Sequence, residues 1–336
     1  MSNPITLDVT DKKILLSLIN NSRAPISVIA KETHLSREIV SYRLYKLEQE
    51  NVITEYIAKI NQPMFCSGVA LMMCKLVRSN TTRFKEVIAF INKHSSINWC
   101  IETCGTSDLA LTILYDTPKN LANIVTDLLN FLGSNLKEQN IYLYIDEYKF
   151  DRSGLITEKP LSYNKNKIIT FDKQTPLKLD MLDANILSIL SKNCRTKNSD
   201  IAINLHVTED VVRLRIKSLE RRGIILGYTV SIDAEKLGYE AYQMSAKLDQ
   251  MNDTVINKIK YYMQTSPYII YCTRTSGKYD LIIDVHAKNR QHFNDLLLDM
   301  RNNLPEIIDY EFHLNMRTYK EVFVPDERIK IRVNSN

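Results

Sequence analysis

Two short turns carry the side chains with the clearest chemical potential. They are Gly105-Thr106-Ser107-Asp108 and Gly277-Lys278-Tyr279-Asp280, preceded by Thr103 and Thr275. Glycine permits a positive φ and lets a ligand approach the backbone, and an aspartate just beyond it is suited to hold an ammonium group. The plainer alternative is a β-hairpin turn with an exposed aspartate. A second set lies on two stretches of helical period. Around 36–50, Ile39, Val40, Leu44 and Leu47 share one side and are expected to face a core. Opposite them stand Glu38, Ser41, Tyr42 and Tyr45, flanked by Arg37 and Lys46. In the second stretch the outward positions are Asp210, Arg213, Leu214 and Lys217, flanked by Glu209 and Ser218. Arg213 and Lys217 suit phosphates or guanine edges, while Ser41 and the tyrosines suit phosphates, thymine methyls or base stacking. Ser36 and Thr208, at the helix starts, complete the candidate DNA-contacting set. Arg43 and Arg215 fall on the flank of the buried side. Pairing with a carboxylate such as Asp8 or Glu48 is at least as good a reading for them as a DNA contact.

Metal and redox chemistry find less support. Cys66, Cys74, Cys100, Cys104, Cys194 and Cys272 show no paired metal-ligand spacing. Cys100 and Cys104 read as small core residues on a strand-turn-strand run. No cofactor or metal is expected. The 336 residues carry a formal charge of +5, which permits a polyanionic partner without demanding one. No run is long and apolar enough for a membrane span, and the start lacks a signal-peptide layout, so a cytoplasmic protein without a membrane partner is expected.

The elements that must position these residues occur twice. At a constant offset of 172, Leu7-Asp8 and Asp11 reappear as Leu179-Asp180 and Asp183, and Arg23 as Arg195. Ile29-Ala30, Val40, Arg43, Leu47-Glu48 and Tyr56 likewise recur as Ile201-Ala202, Val212, Arg215, Leu219-Glu220 and Tyr228. Further on, Lys75-Leu76, Thr103, Gly105 and Asp108-Leu109 recur as Lys247-Leu248, Thr275, Gly277 and Asp280-Leu281. Agreement this spread at one offset marks a tandem duplication.

Within each copy, Asp8 with Asp11 reads as a capping box opening a first helix, Pro25 opens a short second one, and Ser36 caps a third. Three short helices with a tight turn at His34-Leu35 describe a helix-turn-helix, in which one helix braces another for the major groove. His34 and His206 read as local hydrogen-bonding residues. The strand-like runs 54–60 and 226–232 follow as a small wing or hinge strand. Beyond them the order is strand, helix, strand, strand, helix, strand, the ferredoxin-like βαββαβ arrangement, whose open sheet face is expected to pack on that of the other copy.

The expected fold is therefore α+β: two winged helix-turn-helix domains (1–62 and 177–234) and two ferredoxin-like sensor domains (63–150 and 235–324) in tandem. Residues 151–176 read as a solvated, basic linker with one short strand at 167–171, and 325–336 as a tail.

The pattern of Leu-Asp-x-x-Asp opening a helix, Arg23, Ile29-Ala30, Leu35-Ser36 and Val40-x-x-Arg43-x-x-x-Leu47-Glu48 resembles the DNA-binding half of the Lrp/AsnC (leucine-responsive, or feast/famine) regulators. Gly277-Lys278-Tyr279-Asp280-Leu281 resembles that family's effector-sensing domain. The resemblance implies a transcriptional regulator that binds double-stranded DNA, pairs through its sensor sheets, assembles into oligomers, and takes a small effector, such as an amino acid, near the glycine turns. Thr103, Gly105, Asp108, Thr275, Gly277, Tyr279 and Asp280 are the candidate effector residues. The first copy lacks the aromatic found at Tyr279, and the chain has two modules where the family pattern has one, which makes it a pseudo-dimer in one chain. An alternative is a sirohaem-decarboxylase-like enzyme on the same scaffold. That reading expects a His- and Arg-rich strand at the glycine turn, whereas the only nearby histidine read from the sequence is His286, with no carboxylate or histidine pair for acid/base work. A non-enzyme is expected. A third reading is a ligand-binding or assembly protein that has lost DNA binding, which the acidic Glu209 and Asp210 keep open for the second copy.

Overall fold

The computed structural model describes residues 4–77, 81–163, 168–171 and 179–334. The first copy contains α1 (Val9–Asn21), α2 (Ile26–Thr33), α3 (Arg37–Gln49), β1 (Ile53–Ile60), β2 (Gly68–Leu76), α4 (Thr81–Lys93), β3 (Ile97–Gly105), β4 (Leu109–Tyr115), α5 (Pro118–Leu132) and β5 (Leu136–Phe150). The connecting segment forms α6 (Ser153–Thr157) and β6 (Ile169–Thr170). The second copy contains α7 (Met181–Lys192), α8 (Asn198–Leu205), α9 (Glu209–Arg221), β7 (Ile225–Ile232), β8 (Glu240–Leu248), α10 (Asp253–Thr265), β9 (Ile269–Ser276), β10 (Leu281–Ala287), α11 (Arg290–Asn303) and β11 (Ile307–Glu321), and α12 (Asp326–Asn334) follows. The chain does not divide copy by copy. One compact unit gathers Met1–Phe65, Thr175–Gly238 and Val322–Asn336, and the other Cys66–Gln174 and Tyr239–Glu321. Among the described residues no helix is long and apolar enough to cross a membrane.

In the helical unit, local chemistry sets the helix ends. Asp8 and Asp11 form a reciprocal capping box, and Asp180 caps α7 through the Asp183 amide. Ser36 and Thr208 accept from Ile39 and Val211 and start α3 and α9. His34 and His206 end α2 and α8 in the left-handed region, at φ 57° and 54°. Arg43 pairs with Asp8 and Asp11, and Arg215 with Asp180 and Asp183, so each arginine ties the third helix to the cap of the first. Glu48 is not that partner; it accepts from the Tyr56 hydroxyl. Val40, Leu44 and Leu47 are buried as the helical period requires, but Ile39 is 44% exposed. It sits in the first turn of α3, where the flank of the apolar stripe has already turned towards solvent.

The strand after each helix-turn-helix does not fold back on its own copy. β1 pairs antiparallel with β7, placing Tyr56 opposite Val230 and Ala58 opposite Tyr228. Around this ribbon the copies exchange arginines. Arg23 donates to the carbonyls of Cys194 and Thr196 and to Asn198 Oδ1, and Arg195 donates to the carbonyls of Ser22 and Ala24. The Arg23 guanidinium lies 5.8 Å from the Tyr228 ring centre and that of Arg195 5.1 Å from the Tyr56 ring centre. Ser22 and Cys194, equivalent positions of the repeat, meet at 3.1 Å.

The 325–336 segment expected as a tail instead forms α12. Val324 and Ile329 join the core of the second helix-turn-helix, and Arg328 donates to the Phe65 carbonyl. Burial of these apolar groups fixes a segment whose charged residues made it look solvated.

In the second unit the strand order is β2-β4-β3-β11-β8-β10-β9-β5, and a further β2–β5 pairing closes it into a ring of eight, with β6 appended to β5. Each copy contributes a ferredoxin-like sheet. The long strands β5 and β11 join the two: the start of β5 pairs with β2 and its end with β9, while β11 runs from β8 to β3. Alternation along each strand sends one set of residues towards the helices and the other towards the opposite sheet. Met72, Cys74, Leu111 and Ile113 pack against Val87, Ile91 and Leu128, whereas Leu71, Met73 and Leu114 meet Tyr279 and Ile282 of the other copy. Cys100 is buried in this packing, but Cys104, at the end of β3 beside the turn, is exposed rather than part of a core. The described part of the 151–176 linker is also more structured than expected. Leu155 and Ile156 of α6 are buried, Tyr239 donates to the Leu155 carbonyl, and the only part of the 167–171 strand seen is Ile169–Thr170, Lys167 lying outside the described residues.

Because the half-buried arginine donors satisfy carbonyls of the other copy, Arg23→Ala and Arg195→Ala are each expected to destabilise the helical unit by about 1.5–3 kcal/mol. Urea unfolding of the single and double variants checks this.

Candidate nucleic-acid interface and sensor face

Ser36, Arg37, Ser41, Tyr42, Tyr45 and Lys46 all lie on the exposed side of α3, and Tyr42 and Tyr45 are 65% and 61% exposed. Large aromatics left in water on a recognition helix are available for contact with a partner rather than with the core. On α9, Thr208, Arg213, Leu214 and Lys217 are likewise exposed, with Leu214 at 62%. The two faces differ electrostatically. Arg213 is held by Asp210 at 2.6 Å, one turn earlier, whereas Ser41 stands at its place in the first copy. A phosphate contact by Arg213 must therefore compete with an internal carboxylate. Lys46 has only a long contact to Glu50, 3.7 Å.

At the glycine turns the structure departs from the chemistry read from the sequence. The aspartates are already occupied. Asp108 accepts from Lys75 Nζ at 2.9 Å and from the Leu76 amide at 2.8 Å. Asp280 accepts from Lys247 Nζ and from the Leu248 amide at 2.9 Å. The ammonium that each carboxylate holds belongs to the protein's own lysine, so neither is free to take one from a ligand. Thr103 and Ser107 share a hydrogen bond, and Thr275 donates to the Tyr279 carbonyl, closing each turn. Gly105 has a φ of 138° and packs on His313. Gly277 needs no such conformation; a side chain there would meet Tyr142 and the Ile141 carbonyl at about 3 Å. Tyr279 is not a presented aromatic: it is 2% exposed and stacks on Tyr142, under the Lys278–Glu311 ion pair.

Sequence reasoning missed a different set of side chains. His286 is not the only histidine to consider, because the β8–β11 pairing brings His313 beside Gln243 and against Gly105. Gln243 in turn sits opposite Asp284 and donates to it at 3.0 Å. Asp284 and His286 lie two residues apart on one face of β10, a carboxylate and histidine pair that the sequence reading did not recognise. Burial pushes the Asp284 carboxyl up to about 6, partly offset by the Gln243 hydrogen bond and the Arg152 charge. Burial drives the His286 imidazole down to about 3 and His313 down to about 4, leaving both neutral near pH 7.

Paired helix-turn-helix units in one chain with a duplicated ferredoxin-like sheet define a class of DNA-binding proteins with an attached ligand-binding domain. A family model for the AsnC-type helix-turn-helix domain matches residues 7–48 and 179–220, and one for the Lrp/AsnC ligand binding domain matches 243–324. An HTH-type transcriptional regulator of Methanocaldococcus jannaschii is 30% identical over 146 residues, 43% of this chain and 95% of that one. The HTH-type transcriptional regulator FL11 of Pyrococcus horikoshii is 27% identical over 146 residues, 43% of this chain and 93% of that one. The chain belongs to the Lrp/AsnC family, with two modules where these relatives have one. Over 96% of its length it shares the fold of the siroheme decarboxylase NirDL in complex with an iron-uroporphyrin III analogue, at 15% identity and a TM-score of 0.60, with 98% of that chain covered.

If Asp280 is structural, Asp280→Ala leaves the Leu248 amide without its partner. The variant is expected to lose about 1–3 kcal/mol of stability. Asp108→Ala should lose less, since its side chain is 33% exposed against 14% for Asp280. Chemical denaturation of both variants checks the order.

Proposed function

We propose that this chain is a transcriptional regulator that binds double-stranded DNA through α3 and α9 as a pseudo-dimer, with the ferredoxin-like unit responding to a small effector. The observation that carries the reading is the pairing of two helix-turn-helix copies through β1 and β7, each leaving a third helix with its outer face in solvent. Ser36, Arg37, Ser41, Tyr42, Tyr45 and Lys46 are the proposed contacts of one copy, and Thr208, Arg213, Leu214 and Lys217 those of the other. Regulators of the same family, with similar single modules, support it. The effector reading keeps Thr103, Gly105, Thr275 and Gly277 as backbone and hydroxyl contacts, and Asp108, Asp280 and Tyr279 as the groups that shape the turns.

Sequencing the DNA fragments bound by the protein in its own cells supplies the probe, and recovery of no enriched fragment counts against the reading. On such a fragment, Arg213→Ala is expected to weaken binding and lower the slope of log affinity against log salt by about 1. Asp210→Ala, which releases Arg213, should tighten it. An unchanged salt slope in Arg213→Ala removes that residue from the phosphate contacts.

A second reading, an enzyme of the siroheme-decarboxylase kind, is favoured by the whole-chain fold likeness and by the Asp284 and His286 pair. Under the regulator reading, titrating sirohaem with the protein leaves the absorption spectrum of the sirohaem unchanged; a shifted spectrum favours the enzyme.

A further inference from the structure

The inner faces of the two sensor sheets are not equivalent. Across the second sheet, the antiparallel pairings place Tyr271, Asp284, Gln243 and His313 in one row, with His286 and Asn315 two residues further along their strands on the same side. This side is the inner one, because Leu281, Ile283, Val285, Tyr242 and Met244 point the other way into the helix-packed core. At the matching positions of the first copy stand Thr112, Leu71 and Leu114 for Asp284, Gln243 and His286. On β5, where the register is shifted by one residue, Tyr142 pairs with Leu71 as His313 does with Gln243, with Tyr144 in the place of Asn315. Leu71 and Leu114 are fully buried and Thr112 is satisfied by Asn98. The fold thus closes with leucine in the places of Gln243 and His286.

The second copy instead buries groups that nothing among the described residues answers. Gln243 Oε1, His286 Nδ1, His313 Nε2 and Asn315 Oδ1 are inaccessible and have no hydrogen-bond partner among the described residues. Asp284 has the Gln243 amide as its hydrogen-bond donor and, among the described residues, no salt bridge, the Arg152 guanidinium that acts on it being paired with Glu321. Such orphaned groups cost stability, and a duplicate of the same sheet shows that the fold does not require them. Asp284, His286 and Tyr271 also keep some accessible surface, although they lie on strands whose other face is sealed by helices. Tyr144 and Tyr271 flank the row with ring centres 6.4 Å apart.

We propose that this inner face of the second sensor sheet binds a small organic amine, its ammonium group held by Asp284 and its further N–H groups by Gln243 Oε1 and Asn315 Oδ1, beside the Tyr144 and Tyr271 rings. The unanswered amide oxygens are acceptors and the neutral imidazoles have an acceptor nitrogen to offer, so the matching ligand is rich in donors. A carboxylate without a salt-bridge partner next to aromatic rings favours a cation. The raised Asp284 carboxyl fits a group waiting for a positive partner. The site is separate from the glycine-turn carboxylates, and it stands whether or not the chain binds DNA.

The test is calorimetric titration of the full chain, without DNA, with ethylammonium, putrescine and L-lysine, and with 1,4-butanediol and acetate as uncharged and anionic counterparts. At least one amine is expected to bind with a Kd of about 1 mM or tighter, and neither counterpart to bind. Asp284→Asn, nearly isosteric, should weaken that binding at least about tenfold, equal to removing roughly 1.4 kcal/mol. Replacing Gln243 and His286 together by Leu, as in the first copy, should abolish binding and raise the melting temperature. Failure of all three amines to bind, or binding that survives Asp284→Asn, overturns the proposal. So does a melting temperature lowered by the leucine pair, which would make the row part of the fold's own framework with ordered water between its groups. If the leucine variant does not fold, Asp284→Asn alone decides.

Discussion

An antiparallel sheet with helices on one side must find a cover for its other side, and a lone strand at the end of a helix-turn-helix must find a pairing partner. Each copy of this chain has both needs and meets neither alone. The two sensor sheets answer each other because β5 and β11 are long enough to start in one sheet and finish in the other. The helix-turn-helix copies answer each other through β1, β7 and the exchanged arginines. In both units, mutual completion is what makes the duplication a structure rather than two structures in a row.

The residues shared at the offset of 172 acquire a physical meaning from this. Arg23 and Arg195, Tyr56 and Tyr228, and Glu48 and Glu220 occur twice because a pseudo-twofold contact uses each of them twice. Asp8, Asp11 and Arg43 recur as Asp180, Asp183 and Arg215 because each copy needs its own clamp between the first and third helices. The copies differ at many other positions, among them the outward residues of α3 and α9 and, on the inner sheet face, Leu71 and Leu114 against Gln243 and His286.

Local physics was readable from the sequence, and long-range pairing was not. Capping at Asp8 and Ser36 and the βαββαβ order rest on local spacing and periodicity. The partner of β1 could not be read, since a strand's periodicity is silent about whether its neighbour is a hairpin or a strand from the other copy. The α6 and α12 segments were read as solvated because their few apolar residues, Leu155, Ile156 and Ile329, are scattered among charges. The aspartates of the glycine turns looked free because their lysine partners are 33 residues away on the neighbouring strand. The inner row did leave a signal: Gln243 on β8 and His286 on β10 stand where the other copy has Leu71 and Leu114. Reading the repeat for its differences, not only its identities, exposes that row.

Taken together, the chain is an asymmetric dimer written in one sequence, with a tyrosine-bearing α3 and an α9 that carries Arg213, Leu214 and Lys217 beside acidic Glu209 and Asp210. The most direct measurement of that claim is selection of preferred binding sites from a random pool of double-stranded DNA. Two unlike half-sites at a fixed spacing are the predicted outcome. Strictly palindromic winners, or no enrichment at all, would contradict it.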